Sequence, residues 1–346
     1  MSSNSALEPS APITTGLIRI APAWFGKTSA VRSLLLWAAG ILALVAVIFC
    51  ALRYGSLDQV VRLVRSAHPL WLVLALAAQV PTYLCAALVW RQALAHCGRP
   101  LPMRTLIPLG IAKVFTDQVL PSGGISGTML VVRGLIRRQV DARIAMAAML
   151  AGMVSFDVAY LIVVLASTAI LELHHHAALP ILIGVTIFVV MTIAIPAAVL
   201  GLKRWGNRKP IAWLSKLLGM TGMLRALTDA PTDLLRDPAL LLQTIALQLC
   251  IFLLDALTLW LVFNALGVVP DIWAVLVSFA IASMVATIGP IPVGLGTFEA
   301  ASVATLSLVG VSVNVALAAT LLLRALTFWL PMIPGIWLAR REIVRR

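Results

Sequence analysis

The sequence predicts an all-α polytopic membrane protein, on three observations. Hydrophobic residues make up 61% of the 346-residue chain and charged residues only 11%, against about 45–50% and 25% in a soluble domain. Several apolar runs reach the roughly 18–20 residues that span a bilayer. The short alternating segments of an outer-membrane barrel are missing. The net charge of +13 would suggest nucleic acid in a soluble protein. Here the basic residues lie between apolar runs, so loop orientation and anionic lipid explain them, and no nucleic-acid partner is expected.

Residues 1–33 are rich in Ser, Pro and Thr and read as a cytoplasmic tail. They are too long and irregular for a cleaved leader, so the first apolar run reads as a retained helix. Six runs read as full crossings: Leu34–Leu52, Leu70–Trp90, Ala142–Leu171, Ala178–Leu202, Leu240–Phe263 and Val313–Leu338. Two further segments are interrupted. Thr105–Ile136 is broken by PSGGISGT (121–128), and Ile272–Val309 by PIPVGLGT (290–297). Each half of a broken segment is too short to cross about 30 Å at 1.5 Å per residue, so each reads as a re-entrant hairpin.

Lys and Arg set the orientation. With the N-terminus in the cytoplasm, the tail, the region of the first hairpin, the loop at 203–239 and the C-terminus carry 3, 8, 7 and 4 basic residues. These twenty-two on the inside face three on the outside, Arg53, Arg62 and Arg65. This bias predicts six crossings with both ends cytoplasmic. Trp71, Trp90, Trp205, Trp273 and Trp337 fall near the expected interfaces. The segment Ala212–Leu227 has helical apolar spacing with Lys216 and Arg225, and reads as a helix lying on the cytoplasmic surface.

The order of elements repeats. The second helix of each half starts at Leu70 and at Leu240, the break at Pro121 and at Pro290, and the closing helix near Ala142 and near Val313. The halves are therefore expected at 34–171 and 178–340. Each crosses three times, so the second is expected to be inverted. Inverted repeats with discontinuous helices are a transporter architecture.

Broken helices expose N–H groups at the start of each second arm, where the helix dipole also favours an anion. Ser122, Gly123, Gly124 and Gly127 form one candidate site, and Gly294, Gly296 and Thr297 the other. A lipid phosphate is the anion that fits. Capping of the half-helices by the turns themselves is the structural alternative. Charges inside apolar runs are functional candidates because each costs about 2.5–3.5 kcal/mol at a helix centre. They are Asp157, Asp255, Glu299 and Arg324, with Lys113, Asp117 and Arg133 flanking the first break. Arg324 and Arg133 are candidates to attract a head group and Glu299 to gate it. Asp117, Asp157 and Asp255 are candidates for gating or charge pairing. The residues alone leave open which acid meets which cation.

Cys50, Cys85, Cys97 and Cys250 form no CxxC pair and are expected to pack as small apolar residues. His174, His175 and His176 read as a solvated turn. No metal or cofactor is expected, and no Walker A, HExxH or GxSxG signature points to an enzyme.

Pro121-Ser122-Gly123-Gly124 with Arg133, and Pro290-Ile291-Pro292-Val293-Gly294-Leu295-Gly296-Thr297-Phe298-Glu299, resemble the lysylphosphatidylglycerol synthase transmembrane family. This is the flippase-like domain of multiple peptide resistance factor proteins. The hydropathy order extends the resemblance over roughly residues 34–340. The departure is Val293, where the family's usual form is Pro-Gly-Gly-Leu-Gly. Some stand-alone members are encoded with hopanoid-biosynthesis enzymes. The resemblance implies a module that translocates or binds a lipid by alternating access, with a membrane lipid as substrate. Lipid-biosynthesis enzymes are the implied partners. An integral-membrane enzyme or a scaffold subunit in lipid or polyprenol-linked glycan biosynthesis is the alternative. The chain ends at Arg346 without a soluble aminoacyl-transfer domain, so synthase activity is not expected.

Overall fold

The computed structural model describes residues 57–119, 125–175, 179–204, 233–288 and 294–344. The N-terminal tail, the crossing expected at Leu34–Leu52, Ser122, Gly123, Gly124 and the expected surface helix Ala212–Leu227 lie outside them.

The described chain is helical, with no strand among the described residues. It begins with α1 (Leu57–Arg65), α2 (Pro69–His96), α3 (Met103–Val119) and α4 (Ile125–Ile136). Next come α5 (Ala142–His175), α6 (Leu179–Arg204) and a 3-10 turn at Asp233–Arg236. Then follow α7 (Pro238–Ala265), α8 (Ile272–Ile288), α9 (Thr297–Leu308) and α10 (Val313–Arg324). A π-helical turn at Ala325–Trp329 runs without a break into α11 (Leu330–Val344).

Among the described residues, four helical stretches are long and apolar enough to cross a membrane: Pro69–His96, Ala142–His174, Pro238–Ala265 and Val313–Glu342. At 1.5 Å per residue, the 28 residues of α2 rise about 42 Å, more than the hydrocarbon core needs. Leu70, Val73 and Val80 of α2 and Ile183, Val190 and Ile193 of α6 are all more than half exposed. A helix apolar on its outer face as well as its inner one belongs in lipid. The chain is a polytopic membrane protein.

Local chemistry sets the ends. Pro69 and Pro238 open α2 and α7, where a missing N–H costs nothing. Asp237 caps α7 by accepting from the N–H groups of Ala239 at 2.9 Å and Leu240 at 3.3 Å. Gly267 and Gly310 take positive φ where α7 and α9 end.

The two halves match in length. α2 and α7 have 28 residues each, α3 and α8 have 17 each, and α4 and α9 have 12 each. Against the 34 residues of α5 stands the continuous helix Val313–Val344. α2 lies along α7. Each closing helix packs on the first arm of the other half's broken segment, α11 on α3 and α5 on α8. One buried apolar cluster joins α5 through α10 with Ala75 of α2, and a second joins α2 through α5 with Leu234 of the 3-10 turn and Leu240 of α7. Trp90, expected in an interfacial belt, is instead buried in the second cluster, with its indole against Gly152. The short helix α1 occupies what the sequence reads as loop, and packs on α10.

Candidate functional site

The second break is organised by two glycines and a glutamate. Gly294 (φ 64°) and Gly296 (φ 81°) sit in the left-handed region, which bulky L-residues avoid. A Cβ at Gly294 would also stand 2.3 Å from that of Ala286, so α8 and the turn approach to a distance only glycine allows. α9 starts at Thr297, and its third residue, Glu299, turns back so that Oε2 accepts the Gly296 N–H at 2.7 Å. This is the carboxylate half of a capping box, favoured by the helix dipole.

Glu299 is 2% exposed, and its other oxygen meets Arg324 Nε at 3.0 Å. Arg324 ends α10 immediately before the π-helical turn, a feature often found at functional positions. Its guanidinium also donates to the Gly294 carbonyl at 3.3 Å. The guanidinium carbon lies 4.3 Å from the centre of the Phe298 ring and 5.7 Å from that of Phe328. Cation–π contacts of this kind are worth about 2 kcal/mol once water is excluded. The cation is thus held edge-on by an acid and a carbonyl, and face-on by aromatic rings.

Beside it lies a cavity of about 250 Å³, lined by Asp255, Phe279, Ser283, Phe298, Arg324 and Thr327 among others. Asp255 comes from the middle of α7. Gln79 Nε2 of α2 donates to its Oδ1 at 3.0 Å and to Thr258 Oγ1 at 2.7 Å. Opposite charges, Arg324 and Asp255, therefore face one space of mixed polar and apolar lining. A zwitterion, or an anion with a neighbouring cation, complements such a pair. The Thr297 hydroxyl is buried near this turn without a hydrogen-bond partner among the described residues.

The first break follows a related plan with the acid on the other arm. Asp117, in the last turn of α3, accepts the Gly127 N–H of α4 at 2.8 Å and pairs with Lys113 at 2.6 Å. A Cβ at Gly127 would fall 2.5 Å from the Asp117 carboxylate, so glycine is required for this contact. Ser126 Oγ donates to the Thr116 carbonyl at 3.2 Å and ties the arms together.

The structure thus resolves the pairings that the sequence leaves open: Arg324 with Glu299, Lys113 with Asp117, and Asp255 with the Gln79 amide. At both second-arm N-termini the N–H seen here is taken by the protein's own carboxylate. The described lining of the cavity comes wholly from the second half, and Lys113, Asp117 and Gly127 form their own cluster. Arg133 is exposed in the last turn of α4 and does not line the cavity. Asp157 is half-buried on α5, also away from the lining. His174 of the histidine run stacks on Trp273 at 4.5 Å and 18°. Cys85 is buried and Cys250 exposed, both as free thiols.

Sequence reasoning missed Gln79, Thr258 and Phe328, and gave Phe298 no role of its own. The signal for Gln79 was present, since an amide within an apolar run needs a partner. The aromatic residues carry no signal apart from the turn that brings Arg324 over them.

These elements define a membrane protein with ion pairs at the breaks of its helices, the pair at the second break buried. The lysylphosphatidylglycerol synthase TM region model matches residues 36–335, most of the chain, and the protein belongs to that family. No curated protein matches the chain.

Proposed function

We propose that this chain is a flippase-like transporter, which binds a membrane lipid and moves its head group between leaflets by alternating access. The observation that carries the reading is the buried Arg324–Glu299 pair on the wall of a cavity that also holds Asp255. An ion pair that served packing alone would have no need of a cavity. Family membership supports a lipid-related role. The equal lengths of corresponding helices, and the closing helix of each half on the other half's hairpin, support two inverted repeats.

In this mechanism a lipid phosphate or carboxylate competes with Glu299 for Arg324. Its arrival frees the Gly296 N–H and the first-turn donors of α9, which then hold the anion. Glu299, released from both partners, becomes the gate, and rebinds when the head group leaves. Asp255, held by Gln79, receives a cationic part of the head group where there is one. Acyl chains stay in the apolar phase. The protein does no covalent chemistry here. Its place is the bacterial inner membrane with both termini cytoplasmic, alongside enzymes of lipid biosynthesis.

Retention of phosphatidylglycerol by the protein in native mass spectrometry tests the site. Wild type is expected to carry the lipid, and Arg324→Ala to lose it at least tenfold. Equal retention by both would remove the cavity from the mechanism.

A further inference from the structure

A second cavity, of about 350 Å³, lies between α2, α3 and the helix that follows Arg324. Leu76, Val80, Tyr83, Ile111, Leu330 and Ile333 dominate its lining. It opens sideways, because Leu76, Val80, Leu330 and Ile333 on its rim are 40%, 58%, 41% and 70% exposed. In a membrane helix those faces meet hydrocarbon. Gln79, with Tyr83 one of the two polar residues of its described lining, has its amide engaged with Asp255 and Thr258. Asp255 in turn lines the charged cavity. One hydrogen bond, Gln79 to Asp255, therefore links the lining of the apolar groove to the lining of the charged cavity.

The corresponding place in the other half is filled. α7 begins 169 residues after α2, at Pro238 against Pro69, so Gln79, Val80 and Tyr83 correspond to Gln248, Leu249 and Phe252. There Phe252 stacks on Tyr160 with ring centres 4.9 Å apart, and Tyr160 meets Phe188 at 4.7 Å and Phe156 at 5.6 Å. The Tyr160 hydroxyl is held by Thr287 at 3.0 Å. Among the described residues an aromatic cluster thus packs at this position, where the described residues beside α2 leave a groove.

We propose that the groove formed by α2, α3 and the Leu326–Pro334 stretch seats one acyl chain of a lipid whose head group enters the charged cavity past the Gln79–Asp255 hydrogen bond. The lipid enters from the bilayer on this side, while the aromatic cluster closes the counterpart. The proposal rests on the lipid-transport reading and adds where the chain lies. The Gln79–Asp255 link to the charged cavity favours an acyl chain over a partner helix: a lipid has both an apolar and a charged end, and the two cavities match them in that order.

The test places the full-length protein in vesicles containing phosphatidylglycerol with a diazirine in mid-chain. Photolysis and peptide mapping are expected to concentrate adducts on Leu76, Tyr83 and Leu330. Even labelling over Ile183, Leu253 and Leu257, which face lipid elsewhere, would overturn the groove as a site. Filling its floor with Ile111→Trp, or its rim with Leu76→Trp, should lower groove labelling at least fivefold. Unchanged labelling in both variants at wild-type melting temperature would overturn it too. Binding of water-soluble glycerophosphoglycerol reports the head-group cavity alone. If that compound binds while groove labelling is even, the groove fails and the transport reading stands. If labelling concentrates without such binding, the groove stands and the head-group site fails.

Discussion

Glu299→Gln isolates the charge of the central pair while keeping its shape. The amide oxygen of Gln can still accept the Gly296 N–H, now at 2.7 Å from a carboxylate oxygen, so the cap of α9 survives in weaker form. What is lost is the attraction to Arg324 across 3.0 Å, about 5–6 kcal/mol at an effective dielectric near 20. Part of this is offset by the desolvation of both groups, and breaking a buried pair from one side costs about 3–5 kcal/mol. The Phe298 and Phe328 contacts to the guanidinium remain and place the expected loss toward the lower end. Arg324→Met should cost a similar amount, because it strands the Glu299 carboxylate. The double variant strands neither, and its loss should fall short of the sum of the single losses by at least about 2 kcal/mol. The assay is equilibrium unfolding in mixed micelles, read as a double-mutant cycle. Additive losses, or a Glu299→Gln protein as stable as wild type, would refute the reasoning.

Three further outcomes are expected. Gly294→Ala forces a side chain into φ 64° and a Cβ to 2.3 Å from Ala286; about 1–2 kcal/mol of backbone strain and 1–3 of overpacking should lower the unfolding midpoint. Asp237→Ala removes the cap of α7 and should cost about 1 kcal/mol in the same assay, with lipid retention unchanged. In a background lacking the native cysteines, Arg99→Cys should be labelled by an impermeant reagent from the cytoplasmic side and Val269→Cys from the outside; labelling of both from one side would contradict inverted repeats.

Much of this was legible from the chain. Apolar runs and their Gly/Pro interruptions mark the helices and breaks because hydrocarbon penalises unpaired backbone wherever it occurs. Intramembrane charge likewise pointed to Glu299, Arg324, Asp255 and Asp117. The pairings were not legible, since they depend on backbone direction. Gly294 and Gly296 at positive φ aim the Gly294 carbonyl and Glu299 at Arg324 at the end of α10, far onward in the chain. Nor was the π-helical turn, because ALTFW carries no breaker and reads as ordinary helix. Trp90 was misplaced because its amphipathic ring fits an interface or a core equally well by composition. Packing against Gly152 decides for the core. The short helix α1 escaped because its nine residues are too few for a periodic signal.

The central claim, that the Arg324 cavity carries a lipid head group across the membrane, is tested most directly in vesicles. Purified protein is reconstituted with phosphatidylglycerol labelled on its head group, and loss of label from the inner leaflet to an external quencher is followed over time. Wild type is predicted to move the label well above protein-free vesicles, with Arg324→Ala and Glu299→Gln each slowing it at least tenfold. Undiminished movement in Arg324→Ala, or none by wild type for this or any other labelled lipid, would contradict the account.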